Sequence, residues 1–92
     1  MTAKKFITTI KQIPVGQGGF LIGQIEDEHS RIFTYAFDCG SINREHFEQG
    51  LKMCSLQKID ILFVSHLDVY HVSGIDALAA QVQIDMVVLP CL

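Results

Sequence analysis

The chain has 92 residues and a formal net charge of −3, so it forms one domain or less than one and has no basic field to draw in nucleic acid or anionic lipid. That argues against a passive phosphate-backbone binder, although nucleic acid held as a substrate through a metal stays open. Hydrophobic residues make up 49% of the chain. This is high for a length that buries only about 60–65% of its unfolded surface, and it points to apolar surface meant for a neighbouring segment or a partner chain.

From Lys4 to Ile13, β-branched residues and Phe6 alternate, imperfectly, with polar ones, which predicts a strand. Pro14 ends it, and Val15-Gly16-Gln17-Gly18-Gly19 reads as a glycine-dependent turn. A second strand is expected over Phe20–Ile25, a polar hairpin tip over Glu26–Ser30, and a third strand over Arg31–Phe37. Short links between three strands predict an antiparallel meander. Asp38-Cys39-Gly40-Ser41 closes the third strand. Ser41 or Asn43 then caps a helix running to about Cys54, with Phe47, Leu51 and Cys54 on one face.

Ile59–Val64 is a near-continuous apolar run, the pattern of a strand buried on both faces. A turn containing His66 and His71 follows, then a helix over Ser73–Val82 and a buried strand over Asp85–Leu89. Strand-helix-strand implies a parallel crossover of right-handed sense. The chain stops just after that strand, an odd place for a domain to finish.

The chemistry concentrates where the Ile59–Val64 strand hands over to its loop, because ligands collect at strand ends in open α/β sheets. His66 and Asp68 are two residues apart and leave the same face of an extended backbone, and His71 can swing back as the helix begins. Two imidazoles and a carboxylate suit zinc, iron or manganese, and a bound divalent metal lowers the pKa of its water. The alternative is a pair of histidines acting as hydrogen-bonded surface. A mononuclear two-His-one-carboxylate iron site matches in residue type, but such sites recruit their second histidine from a distant strand. Asp38, at another strand end, either fixes the tautomer of a ligating histidine or simply begins an Asx turn. His29 and His46 read as solvated.

Cys39, Cys54 and Cys91 are odd in number and lack a CxxC pair, so they read as reduced thiols of a cytoplasmic protein rather than a disulfide framework. No base is tied to Cys39 by sequence, which leaves it structural. No apolar run approaches the roughly 20 residues of a membrane span, and Met1–Lys5 is not followed by the apolar stretch of a signal peptide.

Val15-Gly16-Gln17-Gly18, Asp38-Cys39-Gly40 and Ser65-His66-Leu67-Asp68-Val69-Tyr70-His71-Val72-Ser73-Gly74 occur in an order that resembles the metallo-β-lactamase superfamily. The resemblance is to the metallo-β-lactamase-like domains of ComEC-type DNA-uptake proteins, which typically read VGQGD and HxDxDH. It implies an α/β fold, an αββα sandwich of which these residues form the N-terminal half. It also implies a metal-bound hydroxide acting on phosphodiesters, with His66 and Asp68 at one metal and His71 at a second. Zinc is the expected metal, with iron or manganese as alternatives. Tyr70 stands where the family has Asp, and Gly19 replaces the last residue of VGQGD. Further ligands would come from a complementing C-terminal half, as a separate chain or otherwise, or from a homo-oligomer. A degenerate, non-catalytic relative serving as an interaction or regulatory module is the other outcome the resemblance allows.

Overall fold

The computed structural model describes residues 5–30, 32–54 and 56–90. Lys4, Arg31 and Cys91 lie outside the described residues, as does the side chain of Tyr70. The chain folds as α/β around a mixed five-stranded sheet. Strands β1 (Phe6–Gln12), β2 (Gly18–Asp27) and β3 (Ile32–Ser41) form the antiparallel meander read from the sequence. The β2–β3 tip is closed by an Asx turn. Asp27 Oδ1 accepts from the His29 N–H at 2.9 Å and Ser30 takes the left-handed conformation at φ 61°.

Helix α1 (Arg44–Lys52) starts at Asn43, whose side-chain oxygen accepts from the His46 N–H at 3.0 Å. It buries Phe47, Gly50 and Leu51. Phe47 stacks on Phe20 of β2 with ring centroids 5.5 Å apart, and full burial of a side chain this size contributes about 1.5–3 kcal/mol. The helix ends two residues short of Cys54. That thiol donates instead to the Gly50 carbonyl at 3.5 Å and leans on the core.

The predicted strand Ile59–Val64 is two strands, not one. β4 (Lys58–Ile59) pairs with β6 (Gln83–Ile84), whereas β5 (Ile61–Phe63) joins the main sheet between β3 and β7 (Val87–Val88). Asp60 makes the break. Its N–H donates to the Thr34 carbonyl at 2.8 Å and its carboxylate accepts from the Thr34 N–H at 2.7 Å, a side-chain acceptor where a strand would use backbone. Between β5 and β6 run the single turn α2 (Val69–Val72) and α3 (Ile75–Gln81), so the predicted Ser73–Val82 helix is shorter and is preceded by a separate turn. β3, β5 and β7 are parallel, as the crossover pattern requires.

Burial on both faces is corrected as well. Leu62 and Val64 are buried beneath the helices, but Ile61 and Phe63 point to the opposite face and are half-covered. The final strand, expected to be buried, is exposed at Val87 and Val88 because it forms a sheet edge. The same alternation runs through β3. Thr34 and Ala36 are buried, while Phe33 and Phe37 are exposed. Tyr35, Phe37 and Phe63 form an aromatic row on that open face, Phe37 stacking on Phe63 at 5.0 Å. One face of the sheet is therefore covered by helices, and the other is an uncovered apolar surface. Among the described residues no helix is long and apolar enough to cross a membrane.

Candidate metal centre at the end of β5

The site begins with an irregularity in β3. Gly19 of β2 faces Gly40, but Leu21 faces Phe37, so β3 holds an extra residue against Phe20. This is a β-bulge, and within it Asp38 adopts φ 59°. A left-handed conformation costs a non-glycine residue roughly 1–2 kcal/mol, least for Asp and Asn. Bulges re-aim side chains. Here the bulge turns the Asp38 carboxylate along the sheet toward the loop leaving β5.

That loop is tied down by the same carboxylate. Asp38 Oδ1 accepts from the Ser65 N–H and Oδ2 from the Ser65 hydroxyl, each at 2.7 Å. With its proton committed to Asp38, Ser65 Oγ can only accept from the His66 Nδ1 that stands 3.0 Å away. The hydrogen-bond network therefore assigns the Nδ1–H tautomer to His66 and leaves a lone pair on Nε2. Asp38 is thus linked through Ser65 to His66.

His71 lies in α2, which is held against the strand ends by its neighbours. The Gly74 N–H donates to the Cys39 carbonyl at 2.8 Å, and the Ser73 hydroxyl donates to the Ser41 carbonyl at 2.8 Å while accepting from the Ser41 N–H at 3.0 Å. The His71 ring stands 4.9 Å from that of His66, centroid to centroid, tilted by 38°. Its Nδ1 is 2.5 Å from Asp68 Oδ1. Its Nε2 is 4.0 Å from Asp38 Oδ2, too far for a hydrogen bond. When the ring is neutral and Nδ1–H is given to Asp68, Nε2 and the Asp38 oxygen are two acceptors facing each other across a gap.

The structure therefore gathers His66, His71, Asp38 and Asp68 at one end of the sheet. Asp68 contacts His71 directly, whereas the sequence pairing set it beside His66. Among the described residues, no three His, Cys, Asp or Glu side chains are grouped so as to hold a metal ion. The donors nevertheless suit a divalent cation in type and tautomer, with a hydrogen bond at Nδ1 of each histidine and Nε2 of each left over. The contribution of Ser65 escaped the sequence reading; its only signal there was its place immediately before His66. Gly19 borders the cluster too. A Cβ on it would stand 3.3 Å from Asp38 Cβ and 3.6 Å from His71 Cδ2. His29 is exposed at the hairpin tip and His46 is exposed on α1.

Cys39, the other bulge residue, is fully buried, and burial, with the Asp38 charge adding, pushes its thiol up to about 12 from an ordinary 9.0. A thiol held neutral is no nucleophile, in keeping with the structural reading. No protein-family model matches the chain, and no curated protein or solved structure matches it either.

Proposed function

We propose that the chain serves a metal-dependent hydrolase of the metallo-β-lactamase type, with its divalent cation, zinc foremost and iron or manganese next, at the end of β5. The observation that supports this best is the gap between His71 Nε2 and Asp38 Oδ2, 4.0 Å wide, beside a second imidazole of fixed tautomer. His66 and His71 are the nitrogen ligands and Asp38 the nearest carboxylate. Asp68 orients His71 through Nδ1, the carboxylate–histidine arrangement found behind metal ligands. A divalent cation there supplies hydroxide at neutral pH. Ser65 and Asp38 hold His66 in the tautomer that binds, and phosphodiesters are the substrate class.

Catalytic zinc sites use three protein ligands and an open position. In this reading, further donors come from a complementing segment or chain that packs on the uncovered sheet face. Cytoplasmic location belongs to the same reading. Thermal unfolding with and without zinc tests the site. Zinc at a hundredfold its Kd stabilises a folded chain by about 2.7 kcal/mol. The wild type should show such a rise in midpoint and His71→Ala should not; an equal rise in both would refute the ligand assignment.

The second reading, a non-catalytic interaction module, is favoured by exposed Phe33 and Phe37 beside half-covered Phe63 on the open sheet face and by Tyr70 in place of the family's Asp. It predicts a folded chain that ignores zinc but captures a partner through that face.

A further inference from the structure

We propose that β1 is a self-recognition edge: two copies of this chain pair their β1 strands antiparallel about a two-fold axis at Thr8, merging two five-stranded sheets into one. This edge is separated from β5 by two strands, and the inference is independent of the metal site.

The hydrogen-bond phase of the strand carries the argument. The Ile13 N–H donates to the Phe20 carbonyl at 2.8 Å, in line with a register that sets Gln12 opposite Leu21 and Lys11 opposite Ile22. In an antiparallel ladder, residues that exchange backbone bonds with the neighbour alternate with residues that do not. Ile7, Thr9 and Lys11 therefore bond inward to β2, while Phe6, Thr8 and Ile10 turn their N–H and C=O groups to the open edge. Such a row of unpaired backbone groups is a template for another strand.

The side chains suit a copy of the same strand. With Thr8 opposite the partner's Thr8, Phe6 falls opposite the partner's Ile10 and Ile10 opposite the partner's Phe6. Both apolar pairs lie at outward-bonding positions and on one face of the joined sheet. No charge interrupts the strand between Phe6 and Ile10. Every residue of β1 is exposed, so among the described residues neither face of the strand is covered. Phe6, Ile7 and Ile10 are 59%, 66% and 60% exposed. Together with the two seven-residue edges, these side chains account for on the order of 1,000 Å² of buried surface in total, the threshold of a specific interface. The register also brings Lys5 opposite the partner's Lys11 at the rim, so salt should strengthen the pairing by screening two like-charge contacts.

Sedimentation equilibrium of the full chain, with circular dichroism as the control for folding, tests this. The wild type should approach the dimer mass as concentration rises, and more readily in high salt. Thr8→Pro removes an outward N–H that β1 does not use toward β2, so it should stay folded and sediment as a monomer. Ile10→Lys leaves every backbone group in place and should also be monomeric, which guards against a folding defect in the proline variant. Phe37→Lys, on the open sheet face but two strands from the edge, should remain a dimer. A monomeric wild type at all concentrations, or dimers persisting in folded Thr8→Pro and Ile10→Lys, would overturn the proposal. Loss of the dimer in Phe37→Lys alone would assign the interface to the sheet face and overturn it equally.

Discussion

Asp38 carries more of the local structure than any other polar residue near β5. It pins Ser65 by two hydrogen bonds, orients His66 through Ser65 and faces His71, all from a left-handed backbone position. Asp38→Ala removes both bonds and puts a less tolerant residue at φ 59°. The expected loss is about 2–4 kcal/mol, read from denaturant unfolding. Asp38→Gly should recover the backbone part but not the hydrogen bonds, so its stability should fall between those of the alanine variant and the wild type. Next to it, the Cys39 thiol makes a pH prediction of definite sign. Its folded pKa, about 12, lies above the ordinary 9.0. The stability it contributes is therefore intact below pH 9 and is lost as pH rises toward 12, because only the unfolded chain can ionise there. In a thiol-reagent assay at pH 8, Cys39 should react only after denaturant is added. Rapid labelling of Cys39 in the folded chain would show that the residue is not buried as described.

At the scale of elements, close approach matters as much as pattern. Gly74 lies between α2 and α3 with an unremarkable φ of −97°, yet a Cβ there would fall 2.1 Å from Phe47 Cζ. Phe47 is wedged between α1 and β2 and cannot retreat. Gly74→Ala should therefore destabilise by about 1–3 kcal/mol, the usual range for overpacking, as a lowered thermal midpoint. Lys58 of β4 reaches Asp60 at 3.3 Å, where the chain passes from β4 to β5, and Asp85 at 3.1 Å, just after β6. Hydrogen bonds from Gln83 and then Lys58 hold the Asp85 carboxyl below its ordinary value, and the two carboxylates raise Lys58. Asp85's contribution is lost as pH falls through its lowered value, and that of Lys58 as pH rises through its raised one. These groups are solvated, so the effect is small and salt should erase it. The order of elements was legible in the sequence because the apolar periods, Pro14, the glycine turn and the Asn43 cap are local signals. The split at Asp60 was not. It arises from a bond to Thr34, 26 residues away, which no local pattern encodes.

The whole molecule is two-sided: helices cover one face of the sheet, and Phe33, Tyr35, Phe37 and Phe63 lie on the other. A hydrophobic dye should bind the folded chain, and Phe33→Lys with Phe37→Lys should abolish that binding, at a cost to the midpoint of about 1 kcal/mol for the lost ring contacts of Phe37 with Tyr35 and Phe63. The high apolar content foretold spare surface, but not which face would carry it, because the β5 run reads the same whether one side is covered or both. The candidate site was partly legible too. His66, Asp68, His71 and Asp38 were picked out by residue type at strand ends, and the fold gathers all four. Their connections depend on the bulge at Asp38 and on the hydroxyl of Ser65, which are set by strand register and not by spacing. The proposed metal site depends on His66 and His71 serving as cation ligands, and elemental analysis of the purified chain beside the His66→Ala/His71→Ala double variant tests that most directly. Near-stoichiometric zinc, iron or manganese in the wild type, lost in a variant that remains folded, is the predicted result. Metal no higher in the wild type than in the folded variant would contradict it.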